Sequence, residues 1–249
     1  MKLEKCIIQG IPAIIWGEPS KKAYLFVHGK MSSKDAAAVF AQLAQEKGYQ
    51  TLSFDLPQHG DRAEEPERCH IWSGTRDVKK LCDAAFARWE QVSLFGCSLG
   101  AYFSLHVCGD YPFRNCLFQS PIVDMEYLIR QMMVWFGVTQ ERLEREREVE
   151  TPIDTMSWDY YQYVLAHPIT RWDIPTAILY GGKDNLQSRQ VMKGFADRFG
   201  CRLTVSEFSE HPFMQPLDSL IVEDWMRRSL EWGSNPGRAT TACCIQQQK

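Results

Sequence analysis

The length, composition and charge of the chain exclude several classes of protein. With 249 residues, of which 45% are hydrophobic and 24% charged, it has the composition of a globular protein that forms one domain with a sizeable core. The net charge of −3 excludes the strongly basic surface typical of proteins that bind nucleic acid or anionic membranes. No apolar run approaches the length of a membrane-spanning helix, so no membrane span is expected.

The cysteines and the two ends of the chain indicate a reducing compartment. The nine cysteines are scattered, and their odd number and apolar surroundings predict reduced thiols in a cytoplasmic protein. The first residues lack the pattern of a secretory signal peptide. Residues 234–249 are expected to form a flexible tail, in which Cys243 and Cys244 have no second Cys/His pair for a metal site and no prenylation box. Neither a metal nor a cofactor is expected.

Strands and helices are predicted to alternate along most of the chain. Residues 6–9 and 13–16 are expected to form an opening antiparallel pair. Further strands are predicted at 23–27, 51–54, 91–95, 115–119 and 202–207, with another beginning near Thr176, and helices at 33–47, 75–89, 99–108 and 186–199. This alternation is typical of an α/β fold with a mostly parallel central sheet flanked by helices.

Residues 122–172 interrupt this alternation. Helical patterns are predicted at 125–136, at 140–150 and at 158–165. The middle pattern consists almost entirely of Glu and Arg with opposite charges four residues apart, which is typical of a solvated outer face. The segment is therefore expected to be a mainly helical insert within a single domain that spans residues 1–249.

A candidate nucleophile lies in the segment from Phe95 to Gly100, which has the pattern G-x-S-x-G around Ser98. A β-type run precedes it and a helix-compatible run follows. This is the setting of a nucleophile elbow, a sharp strand-to-helix turn that holds a serine at its apex. Glycine at 96 and 100 provides the room that such a turn needs. Serine is a poor nucleophile by itself, so a general base must accept its proton.

The candidate base and acid follow the serine in the chain. The six histidines are His28, His59, His70, His106, His167 and His211. Only His211 lies in a loop beyond the last strands, where a general base is expected. Between serine and histidine, Asp184 follows a buried-type strand and a Gly-rich turn, and it is the candidate acid, although the same position could serve as a helix cap. Asp124 is the reserve candidate.

At this point the chain resembles the α/β-hydrolase family over roughly residues 23–232. Residues 27–31, Val-His-Gly-Lys-Met, resemble the family's strand-end H-G-x loop, and residues 55–60 resemble its D-x-x-G-H-G loop, with Gln58 at a position where many members have glycine. The resemblance implies an oxyanion hole built from the backbone N–H of Leu99 and that of Lys30 or Met31. His28 and His59 are expected to brace these loops, and the other three unassigned histidines are given no role.

The resemblance also implies that residues 122–172 form a helical cap over the site. Its aromatic and methionine side chains are then candidates for the substrate pocket, although about half of them at most should line it. The candidates are Met132, Met133, Trp135, Phe136, Trp158 and Tyr161. Such a pocket favours an apolar or aromatic acyl group of small to medium size.

Three functional hypotheses remain open at the level of sequence. The first is a serine hydrolase that cleaves a carboxylic ester of a small-molecule acyl substrate through an acyl-enzyme intermediate. The second keeps Ser98, Asp184 and His211 but attacks a thioester, an amide or peptide, or a carbon–carbon bond. The third is a non-catalytic binding protein of the same fold. Neither the physiological substrate nor the oligomeric state follows from the sequence.

Overall fold

A computed structural model describes residues 1–233 and contains a central sheet of eight strands in the order β1-β2-β4-β3-β5-β6-β9-β10. The pairing of β1 with β2 and of β2 with β4 is antiparallel, and every other pairing is parallel. The strands are β1 Leu3–Ile8, β2 Ile11–Trp16, β3 Lys22–Val27, β4 Gln50–Phe54, β5 Gln91–Cys97, β6 Cys116–Gln119, β9 Thr176–Gly181 and β10 Arg202–Ser206. A separate two-stranded sheet joins β7 Glu148–Glu150 to β8 Thr155–Ser157.

Within residues 1–233, eight α-helices accompany the strands: α1 Ala38–Glu46, α2 Ile71–Arg88, α3 Ser98–Val107, α4 Met125–Phe136, α5 Gln140–Glu146, α6 Trp158–Ala166, α7 Arg189–Phe199 and α8 Asp218–Gly233. The central strands are buried on both faces because their side chains alternate between two cores. In β3, for example, Leu25 contributes to the core beneath α2, α3 and α7, whereas Phe26 contributes to the core beneath α1 and α8. The expected α/β architecture is confirmed.

Three of the elements that differ from the sequence expectations show the physical reason. Helix α2 begins at Ile71, four residues before the predicted start, because His70 and Ser73 form a capping box. Helix α8 was not predicted. The apolar residues that this segment contributes to the core, such as Ile221 and Trp225, nevertheless have the spacing of a helix.

The third difference lies in the charged run, where the prediction of a helix throughout 140–150 was wrong. Helix α5 ends at Glu146, Arg147 adopts a φ of 67°, and the following three residues form strand β7. The alternation of the buried Val149 with the exposed Glu148 and Glu150 has the period of a strand, which pairing with β8 stabilises.

The parallel strands place several loops at one edge of the sheet. The loops that follow β3, β5, β6, β9 and β10 all lie at the edge formed by the carboxyl ends of these strands. Open α/β sheets bind ligands at this edge. The insert expected at 122–172 contains α4, α5, β7, β8 and α6, between β6 and β9. Among residues 1–233 no helix combines the length and apolarity needed to cross a bilayer. The expected tail at 234–249, including Cys243 and Cys244, lies outside the described residues.

Candidate active site

Ser98 occupies a sharp turn between β5 and α3. Its φ is 48°, in the left-handed region that a residue with a side chain rarely adopts. A Cβ at Gly100 would lie 2.3 Å from the carbonyl oxygen of His28 and 2.6 Å from that of Val27. A Cβ at Gly96 would lie 2.9 Å from the ring of Phe118. Both glycines are therefore needed for close packing, and the strained turn holds the serine at the carboxyl end of the sheet.

Ser98, His211 and Asp184 form one chain of hydrogen bonds. Ser98 Oγ lies 2.8 Å from His211 Nε2, and His211 Nδ1 lies 2.7 Å from Asp184 Oδ2. The Asp184 side chain is fully buried and that of His211 is 10% exposed. Because a carboxylate only accepts hydrogen bonds, Asp184 selects the imidazole tautomer with its proton on Nδ1. Nε2 then has a free lone pair that accepts the hydroxyl proton of Ser98.

The remaining oxygen of Asp184 is fixed by backbone donors. Oδ1 accepts hydrogen bonds from the N–H of Leu186 at 2.7 Å and of Gln187 at 3.1 Å. The aspartate thus makes a turn-type contact as well as facing the histidine, but it does not serve as the helix cap. The cap of α7 is Ser188 instead. Asp124, the reserve candidate, caps α4 by accepting the Tyr127 N–H at 2.8 Å and does not contact the histidine.

Three polar residues that the sequence analysis did not single out support this arrangement. Ser120 Oγ donates to the carbonyl oxygen of His211 at 2.6 Å. The buried amide of Gln187 accepts from the Asp124 N–H and donates to its carbonyl oxygen, which ties the loop after β6 to the loop after β9. Ser209 Oγ donates to Asp218 Oδ1 at 2.5 Å. No local pattern distinguishes these residues, because their partners are distant in sequence.

The loop after β3 lies directly against the serine. A Cβ on Gly29 would lie 3.1 Å from the Cβ of Ser98. Among residues 1–233, no group accepts a hydrogen bond from the Lys30 N–H. The Leu99 N–H belongs to the first turn of α3, where N–H groups have no partner within the helix. The Met31 N–H is already engaged, since it donates to His59 Nε2 at 3.0 Å. Of the two alternatives for the second oxyanion donor, the structure therefore favours Lys30 over Met31.

His28 and His59 hold this loop in place, as expected of bracing residues. His28 accepts the Leu56 N–H on Nε2 at 3.0 Å, and its Nδ1 lies 2.7 Å from the Gly29 carbonyl oxygen. Burial lowers the pKa of His28 to about 4, so its ring is neutral near pH 7. His59 Nδ1 lies 2.8 Å from the Pro57 carbonyl oxygen while Nε2 accepts from Met31. Both rings thus carry the proton on Nδ1.

The loop at residues 55–60 is organised by a buried carboxylate. Asp55 accepts hydrogen bonds from Lys34 Nζ at 2.6 Å and from the Asp61 N–H at 2.9 Å. Gly60 has a φ of 54°, and a Cβ there would lie 2.2 Å from Asp55. Gln58 has a φ of 59°, which explains why glycine suits this position in the resembling family.

The six candidate pocket residues divide into three groups by exposure. Tyr161 has no exposed surface and Trp158 is 9% exposed, and both belong to the core. The side chains of Met132, Met133 and Phe136 are partly buried against that core, and Trp135 is 40% exposed. The Tyr161 ring packs against Trp158 and beneath Arg130, as is typical of a core residue.

A cavity of about 440 Å³ lies between α3, α4, α6 and α7. Its lining includes Tyr102, one turn beyond Ser98, together with Val123, Val164 and Phe195, but none of the six candidates.

No group of three or more metal-binding side chains occurs within the described part of the chain. The seven cysteines of residues 1–233 are free thiols.

The fold of the chain is similar to the folds of several solved structures. The chain aligns with ferulic-acid-bound Est1E from Butyrivibrio proteoclasticus at a TM-score of 0.76 and 14% identity, over 93% of this chain and 99% of the other. Mouse α/β hydrolase domain-containing protein 10 aligns at 0.73 and 16% identity, over 93% and 99%. The Pyrococcus furiosus esterase PF2001 aligns at 0.64 and 17% identity, over 93% and 88%.

Comparisons by sequence returned no match, either to a protein-family model or to a curated protein. The likeness is therefore one of structure, and it extends over nearly the whole described chain. Together with the strand order and the loops at the carboxyl edge of the sheet, it shows that this protein has the α/β-hydrolase fold.

Proposed function

We propose that the protein is a serine hydrolase that cleaves carboxylic esters through an acyl-enzyme intermediate. The observation that carries the proposal is the continuous hydrogen-bonded chain from Ser98 through His211 to Asp184, with distances of 2.8 and 2.7 Å. It lies at the carboxyl edge of the sheet, on a strained serine turn. Ligand binding alone does not require a serine that is held in a strained conformation and hydrogen-bonded to a histidine base.

In the first step His211 Nε2 accepts the Ser98 proton while Oγ attacks the substrate carbonyl. Asp184 holds the ring in the required tautomer and stabilises the imidazolium that forms. The imidazolium then donates its proton to the leaving alcohol, and the acyl group remains bonded to Oγ. A water molecule, deprotonated by the same histidine, attacks the acyl-enzyme. The bond from Oγ to the acyl carbon then breaks, the imidazolium returns its proton to Oγ, and the carboxylic acid is released.

The negative charge on the tetrahedral oxygen requires preorganised donors. We assign this role to the backbone N–H groups of Leu99 and Lys30, since both flank Ser98 and neither has a partner among residues 1–233. Removing one such donor typically costs about 3 kcal/mol of transition-state stabilisation. Backbone donors have no side chain to delete, so their positions depend on the residues that brace the loop.

The preference for esters is supported by the neighbouring structures. Three of them, of two proteins, carry esterase in their titles. Another holds ferulic acid, an aromatic carboxylic acid. We further propose that residues 122–172 form a cap over the site within a single domain. Four of the six candidates have surface available for contact with a small to medium apolar or aromatic acyl group: Met132, Met133, Phe136 and Trp135. The burial of Trp158 and Tyr161 favours a packing role for these two.

The test is covalent labelling of the intact protein with a fluorophosphonate, which reacts with activated serines. We expect one adduct by intact mass, located at Ser98 by peptide mapping, and none in Ser98→Ala. Ser104→Ala is the matched control, because Ser104 Oγ donates to the Gly100 carbonyl in the same helix and has no base. A wild-type protein that stays unlabelled and hydrolyses no p-nitrophenyl ester would refute the proposal.

A further inference from the structure

The hydroxyl of Ser120 holds the backbone of the proposed catalytic base. It donates a hydrogen bond of 2.6 Å to the carbonyl oxygen of His211, and Ser120 is buried. Among residues 1–233, no other group forms a hydrogen bond with the His211 backbone. Within that part of the chain, the contact is therefore the one direct polar link between this backbone and the rest of the domain.

The loop that carries His211 has an anchor on each side of the histidine. Two residues before it, Ser209 Oγ donates to the buried Asp218, and two residues after it, Phe213 is buried in the core beneath α1 and α8. Neither anchor touches the histidine backbone itself, which lies between them. The Ser120 hydroxyl supplies the hydrogen bond at that point of the loop.

Ser120 is held in a strained conformation directly after β6. Its φ is 44°, in the left-handed region that a serine adopts only at a cost. Its N–H donates to the carbonyl oxygen of Leu179 in β9 at 2.8 Å. Residues in such conformations persist when surrounding contacts fix them, and they cluster at functional sites. The turn thus keeps the hydroxyl against the histidine loop.

The same short segment also holds the nucleophile turn. The Ile122 N–H donates to the carbonyl oxygen of Ser98 at 3.3 Å. Residues 120–122 therefore contact the backbones of both the base and the nucleophile. Proton transfer requires that Ser98 Oγ and His211 Nε2 lie within hydrogen-bond distance, and that distance is 2.8 Å. It depends on how these two backbones are placed relative to each other.

We propose that Ser120 is a positioning residue of the Ser98 site, whose hydroxyl fixes the His211 imidazole relative to Ser98 Oγ through the His211 backbone. This inference rests on the proposed function and adds to it a residue outside the chain of Ser98, His211 and Asp184. Without the hydroxyl, the three side chains remain chemically intact, but the histidine can move. A displacement of about 1 Å between reacting groups can lower a rate by about 100-fold.

The test removes the hydroxyl in two variants. Ser120→Ala keeps the strain of a positive φ, whereas Ser120→Gly relieves it. With p-nitrophenyl butyrate we expect kcat to fall by about 10- to 100-fold in both, while KM changes less than about twofold. The rate constant of fluorophosphonate labelling should fall by a similar factor, because labelling requires the same activation of Ser98. Since Ser120→Gly should unfold at a higher urea concentration than Ser120→Ala, a loss common to both follows the hydroxyl and not the stability.

Ser104→Ala is the matched control. Ser104 is also fully buried, and its hydroxyl also donates to a backbone carbonyl, that of Gly100, at 2.7 Å. The substitution removes the same atom and the same kind of hydrogen bond, but the bond lies within α3 and does not reach the loop of His211. We expect kcat and the labelling rate of this variant to stay within about twofold of wild type.

Two results would overturn the inference. A wild-type kcat and labelling rate in either Ser120 variant would show that the base needs no contact from this hydroxyl. A loss of equal size in Ser104→Ala would assign the effect to packing in general. Either result leaves the proposed function intact if the wild-type protein is labelled at Ser98. A wild-type protein that is neither labelled nor active would refute the two proposals together.

Discussion

Lys30 and Asp154 form an ion pair that joins the loop beside Ser98 to the hairpin of β7 and β8. Lys30 Nζ also donates to the carbonyl oxygen of Ile153 at 3.2 Å. The two residues are 124 positions apart in the sequence, and the backbone N–H of the same lysine is a proposed oxyanion donor. The ion pair therefore connects the insert to the loop that carries the Lys30 N–H, next to Ser98.

The first prediction concerns this ion pair. Both side chains are substantially exposed, so Asp154→Asn should change the free energy of unfolding by less than about 1 kcal/mol. If the pair helps to position the Lys30 N–H, ester hydrolysis should lose kcat by a few-fold, while KM stays close to the wild-type value. Steady-state kinetics with p-nitrophenyl butyrate tests this, and Asp159→Asn, which breaks an exposed pair within the insert, is the control. An identical kcat in wild type and Asp154→Asn would contradict it.

The second prediction separates the two candidate acids. Asp184→Asn should lower kcat by several orders of magnitude, because an amide next to His211 favours the wrong imidazole tautomer. Asp124→Asn should change turnover little, since the amide oxygen can still accept the Tyr127 N–H at the start of α4. The measurement is kcat for p-nitrophenyl acetate, with circular dichroism to confirm folding. A larger loss at Asp124 than at Asp184 would assign the acid to the loop after β6.

The third prediction uses two glycines with opposite surroundings. Gly100→Ala should prevent proper folding of the elbow and abolish fluorophosphonate labelling, because the new Cβ would meet the backbone oxygens of His28 and Val27, which cannot move independently of β3. Gly109→Ala should be tolerated, since no atom lies within 4 Å of the position of its Cβ. Soluble yield, unfolding midpoint and labelling are compared. A labelled Gly100→Ala protein of normal stability would contradict the described approach of α3 to β3.

The fourth prediction distinguishes pocket from packing among the insert aromatics. Tyr161→Ala should lower the free energy of unfolding by about 3–5 kcal/mol and reduce all ester rates together, as expected for a fully buried ring. Trp135→Ala should alter stability little and shift the preferred acyl length, if its partly exposed ring limits the acyl site. Profiles of kcat/KM from acetate to decanoate esters, with urea unfolding, test both. An unchanged optimum in Trp135→Ala would exclude that residue from the acyl site.

The fifth prediction concerns stability in acid. Burial lowers the pKa of His106 to about 4, and the ring faces Tyr102, Tyr163 and His167. Between pH 4 and the ordinary histidine pKa of about 6.5, the unfolded chain binds more protons at this site than the folded protein, so stability falls as the pH falls through that window. From pH 7.5 to 5.0 the loss from His106 should reach up to about 2 kcal/mol.

Removing the titrating group isolates this contribution. His106→Phe should show a smaller loss of unfolding free energy between pH 7.5 and 5.0 than wild type, while other groups, including His28, contribute equally to both proteins. Because His106 Nε2 has no partner among the described residues, the phenyl ring breaks no hydrogen bond of that atom. Equal pH dependence of urea midpoints in the two proteins would show that His106 does not titrate in this way.

Much of the architecture could be predicted from local sequence patterns. Apolar runs bounded by turns specified most strands of the sheet, and the glycines around Ser98 specified the elbow, because close backbone approach is a local steric requirement. The order of Ser98, Asp184 and His211 along the chain, combined with the rule that parallel strands end at one edge, predicted their meeting. Local sequence patterns, combined with a general rule of sheet topology, were therefore sufficient to predict these features.

Other features were decided by tertiary contacts. Whether Lys30 or Met31 has a free N–H depends on His59, a residue 28 positions away, and the strand at Glu148–Glu150 depends on its pairing with Thr155–Ser157. The burial of the Tyr161 ring follows from how α6 packs on the domain. Hydrogen bonding and burial are properties of pairs brought together by folding, so a single local pattern does not contain them.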